Sequence, residues 1–143
     1  MSDAAINVVR RFLASQGLFL PDASGASPSV PAGFDGRELL SKDFVLSCLP
    51  GTAFGGVLRG RDAYGDTGAA LMKIFDIETI EPQLHDAGDV AILTALSRYT
   101  SRTNRKSTQV PSLEFYKVKD GSIISLDIYF TETQSIVAIG QGK

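Results

Sequence analysis

Tryptophan is absent from this 143-residue chain, cysteine and histidine occur once each, and neither charge sign dominates. A lone Cys48 excludes an intramolecular disulfide framework and a Cys-rich zinc site, and a lone His85 leaves no histidine cluster for a metal. With 14 Lys and Arg against 16 Asp and Glu, the net charge is −2. That balance lacks the positive stripe with which proteins grip phosphate backbones, so nucleic acid is not an expected partner. No apolar run approaches the ~20 residues of a membrane helix. The start, Met1 to Asn7, has neither the positive flank nor the apolar core of a signal peptide. These absences predict a cytoplasmic protein with no membrane partner, no structural metal and no cofactor.

What is present is ordinary globular material, 43% apolar and 21% charged, enough for one domain over residues 1–143 with a substantial core. Ile6, Val9, Phe12 and Leu13 recur at three- and four-residue spacing, one face of a first helix, with Asp3 as its cap and Gly17 as its stop. Residues 20–36 carry Pro21, Pro28 and Pro31 among Gly and Ser, and read as a loop inserted within the domain. A short helix over Arg37–Leu40 and a short strand over Phe44–Cys48 follow. The stretch from Gly55 to Tyr64 leads into a helix carrying Ala69, Leu71, Met72 and Phe75, with Asp62 as its cap. Four strands complete the chain: Ile77–Asp86, Val90–Ser101, Val110–Lys119 and Ser122–Thr131, the last two joined by an Asp120-Gly121 hairpin turn. Helices first and a strand meander afterwards predict an α+β fold, helices packed on one face of a curved antiparallel or mixed sheet.

Alternation assigns faces to the last strands. Ile124, Leu126, Ile128 and Phe130 are read as inward. Ile123, Ser125, Asp127 and Tyr129 are read as outward, joined by Glu114, Tyr116 and Val118 from the preceding strand. Leu113 then points inward. The outward set, mixing aromatics and aliphatics with carboxylates, has the composition of a homodimer interface. Arg102 to Lys106 read as a solvated hairpin tip.

Two stretches carry a resemblance. Leu58-Arg59-Gly60-Arg61-Asp62-Ala63 looks like the entry to the third helix of SnoaL-like proteins. Phe115 to Ile123, continuing to Tyr129-Phe130, looks like their penultimate strand, Asp-Gly turn and final strand. With a late Ile139-Gly140, the chain resembles the SnoaL-like, ketosteroid isomerase-like branch of the nuclear transport factor 2-like superfamily. The resemblance implies a cone-shaped α+β roll around a pocket. It places Phe12, Cys48 and Leu113 where isomerases of this type carry a Tyr, a carboxylate base and a protonated acid. It places Thr131 or, with a one-residue slip, Glu132 at the cyclase acid, and Ile128 at the acid of limonene epoxide hydrolases.

The expected pocket wall is therefore apolar: Phe12, Cys48, Leu113, Leu126, Ile128 and Phe130. The polar candidates for catalysis are Cys48, Tyr64, His85 and Glu132, with Arg98 as a further hydrogen-bonding group. Each has a plainer reading. Cys48 is a small buried hydrophobe, His85 an exposed turn residue, Asp127 a solvated carboxylate. Three functions compete on these residues: a pocket protein binding a small apolar molecule, a cyclase-, isomerase- or hydrolase-type enzyme with a relocated acid–base group, and a dimeric interaction module.

Overall fold

A computed structural model describes residues 4–22, 24–26, 28 and 30–143. Helix α1 spans Ala5–Ser15 and buries Val8, Val9, Phe12 and Leu13 along one side. Gly17, at φ +89°, ends it in a conformation that L side chains resist. The Asp3 expected as a cap lies outside the described residues. Those described between Pro21 and Asp35 form no helix or strand, as the prolines require. A single 3-10 turn, Gly36–Leu39, then delivers the chain into the sheet.

The strands are β1 (Leu40–Cys48), β2 (Gly56–Arg59), β3 (Phe75–Ala87), β4 (Val90–Ser101), β5 (Ser107–Lys119) and β6 (Ser122–Phe130); helices α2 (Ala63–Met72) and α3 (Gln134–Gly140) complete the element list. They make one six-stranded sheet in the order β2-β1-β6-β5-β4-β3. β1 lies parallel to β6, and every other neighbouring pair is antiparallel. The architecture is thus α+β with a mixed, unclosed sheet. The Asp120-Gly121 turn has positive φ at both residues (52° and 79°), the two-residue geometry that matches sheet twist. Three expectations change in detail. β2 was not foreseen, Phe75 opens β3 instead of lying in α2, and residues after Thr133 form α3.

All three helices lie on one face. Phe12 of α1 touches Tyr64 of α2 and Tyr116 of β5, with ring centroids 5.0 and 6.3 Å apart. Ser135 of α3 accepts from Thr108 of β5 at 2.9 Å. The core sits here, on Phe12, Leu46, Phe75, Leu93, Tyr116 and Leu126 among others. Among the described residues no helix covers the opposite face.

Register corrects the faces of β5. Tyr116 stands opposite Ala91 and Leu126, and Glu114 opposite Leu93 and Ile128, so Glu114, Tyr116 and Val118 all point under the helices. Leu113 and Phe115 point to the bare face, and Leu113 is 40% exposed. The expected inward Leu113 and outward Glu114 are therefore exchanged. The cause is that Ser112, Glu114 and Lys117 divide polar groups between both alternating sets, so hydrophobicity did not choose between them, and a one-residue slip inverts a strand. A register shift between Lys117 and Val118 turns Ile123 inward too, where it is fully buried.

Candidate functional site

Along the helix-covered side of β4, Ala91, Leu93, Tyr99 and Ser101 are buried, yet Ala95 and Ser97 between them are only half-buried. Across the ladder the same holds for Glu114, Ile128 and Phe130. Accessible surface is thus kept in the middle of a face whose ends are sealed, which is what a hollow there would leave. Small side chains stand at this place: Ala95 faces Ser112 across the ladder, and Ser97 and Ser112 hydrogen-bond at 2.9 Å.

Glu114 is the polar centre. The Tyr116 hydroxyl donates to Glu114 Oε1 at 2.8 Å. Burial raises the carboxyl's affinity for its proton, and the Tyr116 hydrogen bond only partly opposes this. Enclosure strong enough to shift titration, in a residue that keeps accessible surface, is reconciled if that surface fronts the hollow instead of bulk water. The other carboxyls with resolved shifts, Asp22, Asp35, Asp76 and Glu132, are pulled the opposite way by hydrogen bonds at the surface.

Three of the four tyrosines surround this carboxyl. Tyr64, Tyr99 and Tyr116 all hold their protons more firmly than usual, first through burial; the nearby Glu114 charge comes next for Tyr64 and Tyr116, and after Cys48 for Tyr99. Tyr99 contacts Phe75 and Phe130 edge-on at 5.1 and 5.9 Å. Burial, with Glu114 adding to it, pushes the Cys48 thiol up to about 12. Cys48 is thus a neutral wall residue at physiological pH, not a thiolate nucleophile. Thr67, one turn beyond Tyr64 on α2, is buried with an Oγ1 that finds no partner among the described residues. The set offers neutral hydrogen-bond donors, phenols and a hydroxyl, around a carboxyl whose proton affinity burial raises.

Of the residues expected at the site, Phe12, Cys48, Leu126, Ile128, Phe130 and Tyr64 lie on this side of the sheet. The others do not. Leu113 is on the bare face. His85 is exposed and within 3.0 Å of Thr94 Oγ1. Glu132 is exposed and accepts from the Ser135 amide at 2.9 Å at the start of α3. Arg98 pairs with Gln109 and Glu78 at the surface, and Arg102 and Arg105 both pair with Asp76 instead of being simply solvated. Glu114 itself was missed. The signal for it was the i, i+2 pair Glu114/Tyr116, which must share a face and so share an environment. Among the described residues no group of three metal-ligating side chains occurs, and no helix is long and apolar enough to cross a membrane.

No protein-family model matches the chain, and no match to a curated protein was found. Solved structures do match along nearly all of it. An NTF2-like protein of Burkholderia thailandensis E264 superposes with a TM-score of 0.73 at 17% identity, covering 99% of this chain and 98% of that one. An NTF2-like protein of Burkholderia xenovorans LB400 gives 0.72 at 14% identity, covering 96% and 98%. A putative polyketide cyclase of Xanthomonas campestris pv. campestris gives 0.67 at 15% identity, covering 95% and 96%. At these identities what is shared is the fold.

Proposed function

Starting from an NTF2-like fold with a carboxyl set among aromatic rings, we propose that the chain binds a small, largely apolar molecule carrying one hydrogen-bond acceptor. A ketone-type carbonyl is the simplest such group. The observation behind this is the inward Glu114 bonded to Tyr116 beside half-buried Ala95, Ser97, Ile128 and Phe130. An apolar wall supplies affinity by area, and a few donors fix orientation. The Tyr64 and Tyr99 phenols and the Thr67 hydroxyl are uncharged donors, which suits a neutral acceptor. The polyketide cyclase likeness of one neighbour in fold agrees with an apolar, oxygen-bearing guest.

The test is titration with a neutral aryl ketone such as a tetralone, beside native mass spectrometry for any co-purified molecule. Saturable binding is expected, with affinity lowered roughly ten-fold in Glu114→Leu through the lost hydrogen bond. It should be abolished in Ala95→Leu, which fills the hollow. Absence of binding, or binding indifferent to both substitutions, rejects the reading.

A second reading follows from the raised proton affinity of Glu114. A carboxyl whose proton affinity is raised by burial is suited to proton transfer beside a carbonyl, which favours a cyclase- or isomerase-type reaction. Exchange of the ketone's α-hydrogens in D2O, followed by NMR, should then depend on Glu114. The assembly that fits best is a two-fold homodimer through the bare face, where Phe115 and Tyr129 meet edge-on at 5.6 Å beside a recess of about 440 Å³ lined by Val90, Phe115, Lys117, Asp127 and Tyr129.

A further inference from the structure

One recess open to the surface lies against the same interior residues. A groove of about 330 Å³ is lined by Phe12, Leu40, Tyr64, Arg37, Arg61 and Asp62 among others. Phe12 and Tyr64 are shared with the interior. Their rings meet edge-on at 5.0 Å, and Phe12 lies 6.3 Å from Tyr116, which holds Glu114. One layer of aromatic side chains therefore separates groove from hollow.

The rim of the groove carries a second feature. Asp62 stands at the N-cap of α2, where an Asp ordinarily accepts from helix amides. Here its side chain makes no cap hydrogen bond. It instead accepts from Arg37 Nη1 at 2.7 Å, 25 residues away in sequence. Arg37 is itself fixed by Asp35, through Nε at 3.0 Å and Nη2 at 2.7 Å. The turn before β1 is thereby tied to the first turn of α2, two residues from Tyr64. Both partners of the tie are well exposed, so it is weak and reversible.

We infer that this groove is the entrance to the interior hollow, with the Tyr64 ring as its gate and the Arg37–Asp62 ion pair as its latch. Releasing Asp62 frees the α2 terminus to regain its own cap and lets Tyr64 swing away from Phe12. The inference rests on the hollow being the binding site, but its test needs no ligand. Cys48, the only cysteine in the chain, is buried on the inner face beside Ile128 and reports when the interior opens.

Methyl methanethiosulfonate, a small neutral thiol reagent, is applied at pH 9 and Cys48 modification is timed by mass spectrometry. Asp62→Asn and Arg37→Gln should each speed modification about two- to five-fold, the range set by losing one exposed ion pair. The urea unfolding midpoint should hardly move, and the rate should stay flat in low urea, as local opening requires. Tyr64→Ala should be faster still, and Tyr64→Phe, which keeps the ring, should match the parent. No acceleration in Asp62→Asn or Arg37→Gln overturns the latch. An acceleration that follows global unfolding in urea does the same, and a Cys48 no faster in Tyr64→Ala removes the entrance. A working gate together with failed tetralone binding leaves the entrance standing and rejects the ligand instead.

Discussion

Glu114 couples stability to pH in the direction opposite to the surface carboxylates. Its folded-state affinity for the proton is raised by burial, so between the ordinary glutamate range and its folded-state value the native protein binds more protons than the unfolded chain. Stability from this group is present at low pH and lost as pH rises through that window. Asp22, Asp35, Asp76 and Glu132, all depressed, act the other way and lose their contribution in acid. Glu114→Gln should therefore gain stability over the parent as pH is raised from 4.5 to 7.5, by urea denaturation at both values. A difference that is flat with pH would show a carboxyl in ordinary solvent. The same residue shows where reading from sequence stops. Glu114 was assigned outward by its alternation with Leu113 and Phe115, and only the ladder to Leu93 and Ile128 turns it inward. That Phe12, Leu126, Ile128 and Phe130 face the helices was legible because apolar residues recur at the right spacing beside them.

At the scale of elements, the four long strands and the Asp120-Gly121 hairpin were readable because alternation and turn chemistry are local, although β1 begins at Leu40 and β5 at Ser107, earlier than expected. β2 and α3 were not, since each is short and owes its existence to what it packs on. α3 shows this at Gly140, where a Cβ would come within 2.7 Å of Phe75 and 2.9 Å of Phe54. Those two rings meet edge-on at 5.6 Å, and Phe75 is fully buried, which leaves little room to yield. Gly140→Ala should cost about 1–3 kcal/mol by overpacking, measured by chemical denaturation. A neutral outcome would mean that α3 shifts freely on the sheet. Gly55 makes a similar demand on the turn after β1, because its Cβ would meet the Cys48 carbonyl at 2.1 Å.

The molecule as a whole has two unlike faces, one covered by helices and one left to the sheet. On the bare face Leu113 and Tyr129, paired across the β5–β6 ladder, are 40% and 56% exposed. Aromatic and aliphatic groups so placed are enriched in subunit interfaces, and a self-complementary two-fold contact is the commonest arrangement. Light scattering at micromolar concentration should give about twice the 15.3 kDa chain mass, and Tyr129→Lys should return the monomer. A single-chain mass for the parent, or a dimer untouched by Tyr129→Lys, places the contact elsewhere or removes it. The distribution of the tyrosines between these faces has an optical consequence. Without tryptophan, the near-ultraviolet emission of the protein comes from four tyrosines, and three of them stand around Glu114. A guest bound as proposed, or a proton leaving that carboxyl, would alter their quenching directly, while Tyr129 on the far face would respond to assembly instead. Ligand binding would then be followed by intrinsic emission, without a label.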